Sequence, residues 1–167
     1  ETVPNILIVL FIAYLIVVMF IYFYQRKLLY HPSENNYLDE TNLNHKIEKI
    51  YVQSDTKLIS WYYNNNKSYK TILFFHGNAG RLDNRVYKLN ELAKLNINYL
   101  IVAYRGFSGN QGKPSEVGIY KDSDAAKKWL NENGVDDKNI ILYGESLGSA
   151  VAVDLASKNN FAGIILE

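Results

Sequence analysis

The sequence predicts an α/β fold in which helices cover both faces of a mostly parallel sheet. Two observations predict it. The runs at residues 71–75 and 99–104 are almost wholly apolar, which is typical of strands buried on both faces. From residue 71 onward, such runs alternate with segments of helical periodicity. Alternation on this length scale implies strand–helix–strand crossovers, and these join parallel strands.

The elements are predicted in a simple order, with three strands first and then alternating helices and strands. The strands are expected at residues 47–52, 58–63, 71–75, 99–104, 140–143 and 161–166. The helices are expected at residues 83–95, 115–131 and 147–157. The chain begins with Glu1, and its last strand has no following element. We therefore expect the N-terminal part of a longer product, with a sheet that is incomplete at its C-terminal side and leaves an apolar edge.

An uninterrupted apolar segment precedes this domain. Residues 6–24 contain only Ile, Leu, Val, Ala, Met, Phe and Tyr. A helix rises ~1.5 Å per residue and the hydrocarbon core is ~30 Å thick, so the segment is long enough to cross a bilayer. A buried core helix is the first alternative, but such helices rarely run this long without a polar face. A cleaved signal peptide is the second, but Gln25-Arg26-Lys27 is not a small-residue cleavage site.

The chain is therefore divided into an anchor at residues 1–30, a polar linker at 31–45 and a domain at 46–167. A single-pass membrane location is expected. Arg26 and Lys27 follow the apolar run and favour a cytoplasmic domain. Basic residues before Glu1 would also enter this count of charges that flank the helix. The sequence therefore does not determine on which side of the membrane the domain lies.

Composition excludes several classes of protein. The 167 residues include no cysteine, which excludes a disulfide scaffold, a thiolate zinc site and a cysteine nucleophile. The chain has 18 basic and 17 acidic residues, a balance that argues against a nucleic-acid partner. Four aspartates could suggest a cation site, but a solvated helix face and turn are the expected setting of Asp122, Asp124, Asp136 and Asp137.

The sequence Gly-Glu-Ser-Leu-Gly at residues 144–148 matches the pattern G-x-S-x-G. Roughly one chain of this size in twenty should contain the pattern by chance, so its context matters. Here it follows an apolar strand and opens a helix, the setting of a nucleophile elbow with Ser146 as nucleophile. Gly144 and Gly148 would allow the strand and helix to meet closely. The alternative is a chance match in an ordinary strand-to-helix turn.

The sequence His-Gly-Asn-Ala-Gly at residues 76–80 directly follows the third strand. Acyl transfer needs N–H donors for the tetrahedral oxyanion. One donor is expected from Leu147, the residue after the nucleophile, and another from a loop after an earlier strand. Gly77 and Gly80 would let this loop approach closely. The alternative is an ordinary glycine-rich turn with a packed His76.

These motifs, taken together, resemble the α/β-hydrolase superfamily. More narrowly, the chain is similar to the membrane-anchored bud-emergence group and to serine-aminopeptidase-like hydrolases. The resemblance rests on five segments in order, at residues 25–32, 75–80, 104–106, 112–116 and 143–149. After Gly106 the family usually has an aromatic residue, here Phe107, then a glycine and, shortly before the position of Gly112, a serine. In this chain Ser108 and Asn110 occupy the last two places.

The resemblance implies that Asn78 supplies the second oxyanion N–H. It also implies the order nucleophile, acid, histidine, with the last two beyond Glu167. His31 is expected at the membrane interface, His45 in solvent, and His76 as a brace of the oxyanion loop, so none is assigned as the general base.

The expected function is hydrolysis of an ester, thioester or amide through an acyl-enzyme on Ser146. No metal or organic cofactor is implied. The expected partners are the lipid bilayer and an acyl-containing substrate, which could be a lipid, an acylated protein or a small ester. The alternative is a non-catalytic hydrolase fold that acts as a membrane-tethered scaffold or binding protein.

Overall fold

The computed structural model describes residues 2–33 and 42–167, and the chain divides into two units at residues 1–31 and 32–167. Most of the linker predicted at residues 31–45 lies outside the described residues. The predicted boundaries of anchor, linker and domain therefore stay predictions.

The first unit is a single long helix, α1, at Thr2–Leu29. It continues through Arg26 and Lys27, so it is longer than the apolar run that predicted it. Its segment Pro4–Leu29 has a mean hydropathy of 3.1 and is long and apolar enough to cross a membrane. Residues 4–29 are exposed along their whole length. A helix from the core of a globular domain would instead bury at least one face.

The second unit is built on a six-stranded sheet. Its strands are β1 Glu48–Gln53, β2 Lys57–Tyr63, β3 Thr71–Phe75, β4 Asn98–Val102, β5 Ile140–Gly144 and β6 Gly163–Leu166. Their spatial order is β1-β2-β4-β3-β5-β6. The pairs β1–β2 and β2–β4 are antiparallel, and the other three pairs are parallel. The predicted α/β fold with a mostly parallel sheet is confirmed. Two-residue strands also occur at His31–Pro32 and Ala79–Gly80.

Three helices accompany the sheet: α2 Val86–Ala93, α3 Glu116–Glu132 and α4 Leu147–Lys158. The helix predicted at residues 83–95 is divided, because a 3-10 helix at Leu82–Arg85 precedes α2. The backbone of Arg85 has φ −101° and ψ 2°, which breaks the α-helical geometry at that junction. A further 3-10 turn occupies Asp137–Asn139. Ser115 caps α3 by accepting a hydrogen bond from the Gly118 N–H at 3.2 Å.

The strand order places the functional loops at one edge of the sheet. The chain leaves β3 and adds β4 on one side, and β5 lies on the other side of β3. Such a reversal opens a crevice at the carboxyl ends of the strands, where ligands bind in open α/β sheets. All five residues of β3 and all five of β4 are buried, so the centre of the sheet is a rigid support for this edge.

Asp122 corrects one sequence prediction. It was expected on a solvated helix face, but its side chain is fully buried. Asp122 lies on the same face of α3 as Ile119 and Ala126, which are also buried, because residues three or four apart share a helix face. Its carboxylate accepts hydrogen bonds from the backbone N–H of Arg105 at 2.8 Å and from the Arg105 guanidinium at 2.7 Å. This ion pair fixes the loop after β4 to α3.

Replacing Asp122→Asn should destabilise the protein by about 3 kcal/mol, because the mostly buried Arg105 guanidinium would keep only the exposed Asp55 as a counter-charge. The matched control is Asp136→Asn, since Asp136 lies 3.9 Å from Lys138 on an exposed turn. That control should cost less than about 1 kcal/mol. Denaturant unfolding of both variants measures the difference. Equal losses in the two variants would contradict the role of the buried pair.

Candidate active site

Ser146 occupies a sharp turn between β5 and α4. Its backbone has φ 51° and ψ −114°, and it is one of two non-glycine residues with positive φ in the described part of the chain. A non-glycine residue in such a region costs on the order of 1–3 kcal/mol and is typical of functional sites. Ser146 is exposed and its side chain makes no capping hydrogen bond to α4. The residue is therefore accessible to solvent at the end of β5.

Two glycines allow this turn. A Cβ on Gly148 would lie 2.0 Å from the Phe75 carbonyl oxygen, and a Cβ on Gly144 would lie 2.5 Å from the Gly148 oxygen. Both distances are below any real carbon–oxygen contact. Any larger residue at either position would push α4 away from β3 and β5.

The turn and the loop after β3 lie side by side. The last residue of β3, Phe75, is paired with Gly144 at the end of β5. The pairing continues one residue further, since the Glu145 N–H donates to the Phe75 carbonyl at 3.0 Å. The segment at residues 76–80 therefore begins next to Glu145 and Ser146. The structure brings together the two motifs that the sequence singled out.

The two expected oxyanion donors lie on this edge. Leu147 is the first residue of α4, so its N–H belongs to the helix N-terminus, where N–H groups lack intrahelical partners and favour negative charge. Asn78 is half-buried in the neighbouring loop. Both residues therefore lie just past the carboxyl ends of two neighbouring strands, β5 and β3.

His76 is buried and is held from two sides. Its Nδ1 lies 2.7 Å from the Gly77 carbonyl and so carries the proton, and its Nε2 accepts a hydrogen bond from the Tyr104 N–H at 3.4 Å. The Tyr104 hydroxyl donates to the His76 carbonyl at 2.9 Å. Burial and then the charge of Arg85 lower the pKa of His76 to about 3, against the opposing effect of the Gly77 hydrogen bond. A neutral ring with both nitrogens engaged braces the loop and is not a general base.

The other two histidines have partners of their own. The His45 Nε2 lies 2.6 Å from the hydroxyl of Tyr99, near the start of β4 and so at the opposite end of the sheet from Ser146. His45 was expected to be solvated, but it is half-buried because its ring packs edge-on to Tyr63 and Tyr99. Burial lowers its pKa. His31 is exposed, and its Nε2 lies 3.1 Å from the Leu28 carbonyl.

The loop after β4 packs against His76 from the other side. The rings of Tyr104 and Phe107 lie 4.2 Å and 5.1 Å from the His76 ring, measured between centroids. Ser108 has φ 51°, which explains why the related family usually places a glycine there. Its buried hydroxyl accepts a hydrogen bond from the Leu82 N–H at 3.2 Å, which gives this chain a compensating contact.

A charged cluster beside Ser146 was not anticipated from the sequence. The Glu145 carboxylate accepts hydrogen bonds from Arg85 at 3.1 Å and from Lys88 at 3.0 Å. Lys88 also contacts Glu167 at 2.6 Å, and the Tyr143 hydroxyl donates to the same Glu167 oxygen. Partial burial alone would lower the pKa of Lys88, but the two carboxylates outweigh it and raise that pKa. The sequence contains one signal of this cluster. Arg85 and Lys88 are three residues apart, and residues at that spacing are neighbours on a helix surface.

Comparison with known proteins identifies the family. Residues 40–167 match the family described as "Alpha/beta hydrolase of unknown function (DUF1057)". The chain belongs to the α/β-hydrolase family. It is 36% identical over 156 residues to the uncharacterized protein Rv2307c of Mycobacterium tuberculosis, covering 90% of this chain and 56% of that protein. It is 34% identical over 167 residues to protein bem46 of Schizosaccharomyces pombe, covering 92% of this chain and 56% of that protein.

These matches confirm the resemblance to bud-emergence-like hydrolases. Among solved structures, the esterase Pf2001 of Pyrococcus furiosus superposes with a TM-score of 0.62 at 25% identity, covering 75% of this chain and 52% of that one. The neighbours support a hydrolase. This α/β-hydrolase chain spans about half the length of the curated relatives that it matches.

The buried His76 should make stability depend on pH. The unfolded chain binds a proton at His76 below pH 6.5, but the folded protein does so only near pH 3. Its contribution is therefore fully present above pH 6.5 and is lost as the pH falls toward 3. His76→Asn keeps a donor near the Nδ1 position and does not titrate, so it should lose less stability between about pH 7 and about pH 4 than the wild type.

Denaturant midpoints across that pH range measure the effect. Because the slopes are compared, any fixed cost of the substitution itself cancels. The same slope in the variant and the wild type would show that His76 is protonated normally in the folded state.

Proposed function

We propose that this α/β-hydrolase chain is the N-terminal part of a membrane-anchored serine hydrolase that cleaves an ester, thioester or amide. The observation that carries the proposal is the exposed Ser146 hydroxyl on a strained turn, beside a glycine-rich loop at the carboxyl edge of the sheet. An ordinary strand-to-helix turn has no need of a positive φ at a serine, or of glycines two residues before and two residues after it.

The proposed reaction has two stages. The Ser146 Oγ attacks the substrate carbonyl carbon and gives its proton to a general base. The carbonyl oxygen becomes an oxyanion, which accepts hydrogen bonds from the N–H groups of Leu147 and Asn78. The intermediate collapses to an acyl-enzyme, and the leaving alcohol, thiol or amine takes the proton from the base. Water then attacks the acyl-enzyme by the same route, which releases the acid and restores the serine.

We infer that the general base and its acid partner follow Glu167 in the complete protein. The order nucleophile, acid, histidine in α/β-hydrolases supports this inference. The engaged ring nitrogens of His76 support it too, because they leave that residue unsuited to accept the proton of Ser146. The greater length of the relatives provides room for both groups.

We further propose that α1 anchors the enzyme in a membrane as a single pass. The length and apolar composition of Pro4–Leu29 support it. An enzyme held at a bilayer meets lipids and acylated proteins at a high local concentration. Long acyl groups are accordingly the proposed substrates, and no cofactor enters the mechanism.

Fluorophosphonate labelling of the complete protein in membranes tests the nucleophile. The wild type should be labelled, and Ser146→Ala should abolish labelling because the reactive oxygen is gone. Ser157→Ala is the matched control, since Ser157 is an exposed serine of the same helix and should leave labelling unchanged. A folded wild type that takes no label would support the membrane-tethered scaffold instead.

Acyl-chain preference tests the substrate class. Long-chain esters or thioesters presented in vesicles should give a kcat/KM at least about tenfold higher than acetyl esters, because a longer chain buries more apolar surface in the complex. The Ser146→Ala protein gives the background rate. Faster turnover of short soluble esters would contradict a membrane-derived acyl substrate.

A further inference from the structure

We propose that Arg85 and Glu145 form a clamp that fixes the spacing between the two halves of the oxyanion hole. This inference rests on the proposed function, in which one N–H comes from the turn at Ser146 and the other from the loop at Asn78. Arg85 and Glu145 are positioning residues, because they act through these backbone segments and not on the reacting atoms.

The Arg85 guanidinium contacts both segments at once. Its Nη1 donates to the Ala79 carbonyl at 2.8 Å and to the Arg81 carbonyl at 3.3 Å. Its Nη2 donates to the Glu145 carboxylate at 3.1 Å. A guanidinium is planar and rigid, so contacts made by its two ends hold a fixed geometry. The residue after Asn78 is thereby tied to the residue before Ser146.

Glu145 is anchored firmly enough to serve as the other end. Its N–H donates to Phe75 at 3.0 Å, and its carbonyl accepts from the Gly148 N–H at 2.8 Å. Its second carboxylate oxygen is held by Lys88 at 3.0 Å. Both carboxylate oxygens therefore have cationic donors, which are the stronger class of hydrogen bond.

Burial makes the contact more than a surface ion pair. The side chains of Arg85 and Glu145 are 8% and 22% exposed. Screening by water is weaker there than for the ion pair between Lys94 and Glu91 at the end of α2, whose side chains are 61% and 50% exposed. Each pair joins a glutamate carboxylate to a cation, and the two differ in exposure.

The loop glycines leave the space in which the clamp lies. A Cβ on Gly77 would lie 3.1 Å from the Glu145 carboxylate and 3.4 Å from Arg85. A Cβ on Gly80 would lie 3.2 Å from the Arg85 guanidinium and 2.3 Å from the Asn84 side chain, at a φ of +80°. Glycines on both sides of Asn78 therefore admit the guanidinium and carboxylate beneath the loop.

The clamp matters because oxyanion stabilisation depends steeply on distance. Donors act when they lie about 2.7–3.1 Å from the developing oxyanion, and a shift of about 1 Å can cost a factor of 100 in rate. Loosening one donor weakens the transition state more than the bound substrate. The expected signature is a lower kcat with KM nearly unchanged.

The test uses the complete protein in membranes, with Glu145→Ala to remove the tie and Glu145→Gln to retain an acceptor for Arg85. Glu145→Ala should lower kcat on a soluble ester and the rate of fluorophosphonate labelling at Ser146 by about 10- to 100-fold, with KM within about twofold of wild type. Glu145→Gln should recover part of the loss. Glu91→Gln, the same change in the exposed pair, should leave all three quantities unchanged.

A second readout does not depend on activity. Amide hydrogen exchange at residues 77–81 should be faster in Glu145→Ala than in the wild type and unchanged in Glu91→Gln. Arg85→Lys should behave like Glu145→Ala in both assays, because an ammonium cannot span both segments, and it covers the case in which Glu145→Ala fails to fold.

The outcomes separate the two proposals. A labelled wild type whose Glu145→Ala and Arg85→Lys variants keep wild-type kcat and loop exchange would overturn the clamp and leave the serine hydrolase standing. A proportional rise in KM with unchanged kcat would also overturn it. A folded wild type without label at Ser146 would overturn the hydrolase, and with it the catalytic purpose of the clamp.

Discussion

The close approach of α4 to the end of β3 is the constraint on which the candidate site depends. Gly148 lies against the Phe75 carbonyl with no room for a Cβ, and that same carbonyl accepts the N–H of Glu145. One backbone oxygen thus joins a strand end, a turn and a helix start. With the turn held so tightly, Ser146 adopts a positive φ, and α4 begins at the next residue, Leu147.

Two ion pairs extend this arrangement on either side of the loop at residues 76–80. On one side, the buried pair of Arg105 and Asp122 fixes the segment that carries Tyr104, and Tyr104 holds both the ring and the carbonyl of His76. On the other side, Arg85 joins the loop to Glu145. The loop is therefore held by hydrogen bonds to its backbone from two directions, which suits a segment that must present an N–H at a fixed position.

Local patterns in the sequence predicted most of the fold and the residues of the candidate site. The strands β3 and β4 are fully buried, and their almost wholly apolar sequences located them. The motifs at residues 76–80 and 144–148 were located because glycine at fixed spacing has a backbone reason. The errors fell where tertiary packing outweighs local pattern. The helix predicted at 83–95 begins as a 3-10 turn. Asp122 is buried with its partner Arg105, which lies in the loop after β4, so the pattern of α3 alone did not indicate the pair.

The sequence by itself determined the alternation of strands and helices, the apolar helix α1, and the candidate nucleophile with its neighbouring glycines. These are properties of short segments, and each follows from periodicity or from the backbone freedom of glycine. Only the tertiary structure decided that His76 is a neutral brace, that Asp122 is a buried counter-ion and that Arg85 joins the loop to Glu145. Burial and charge pairing depend on residues far apart in the chain, because desolvation and the distance between charges are set only when the strands are side by side.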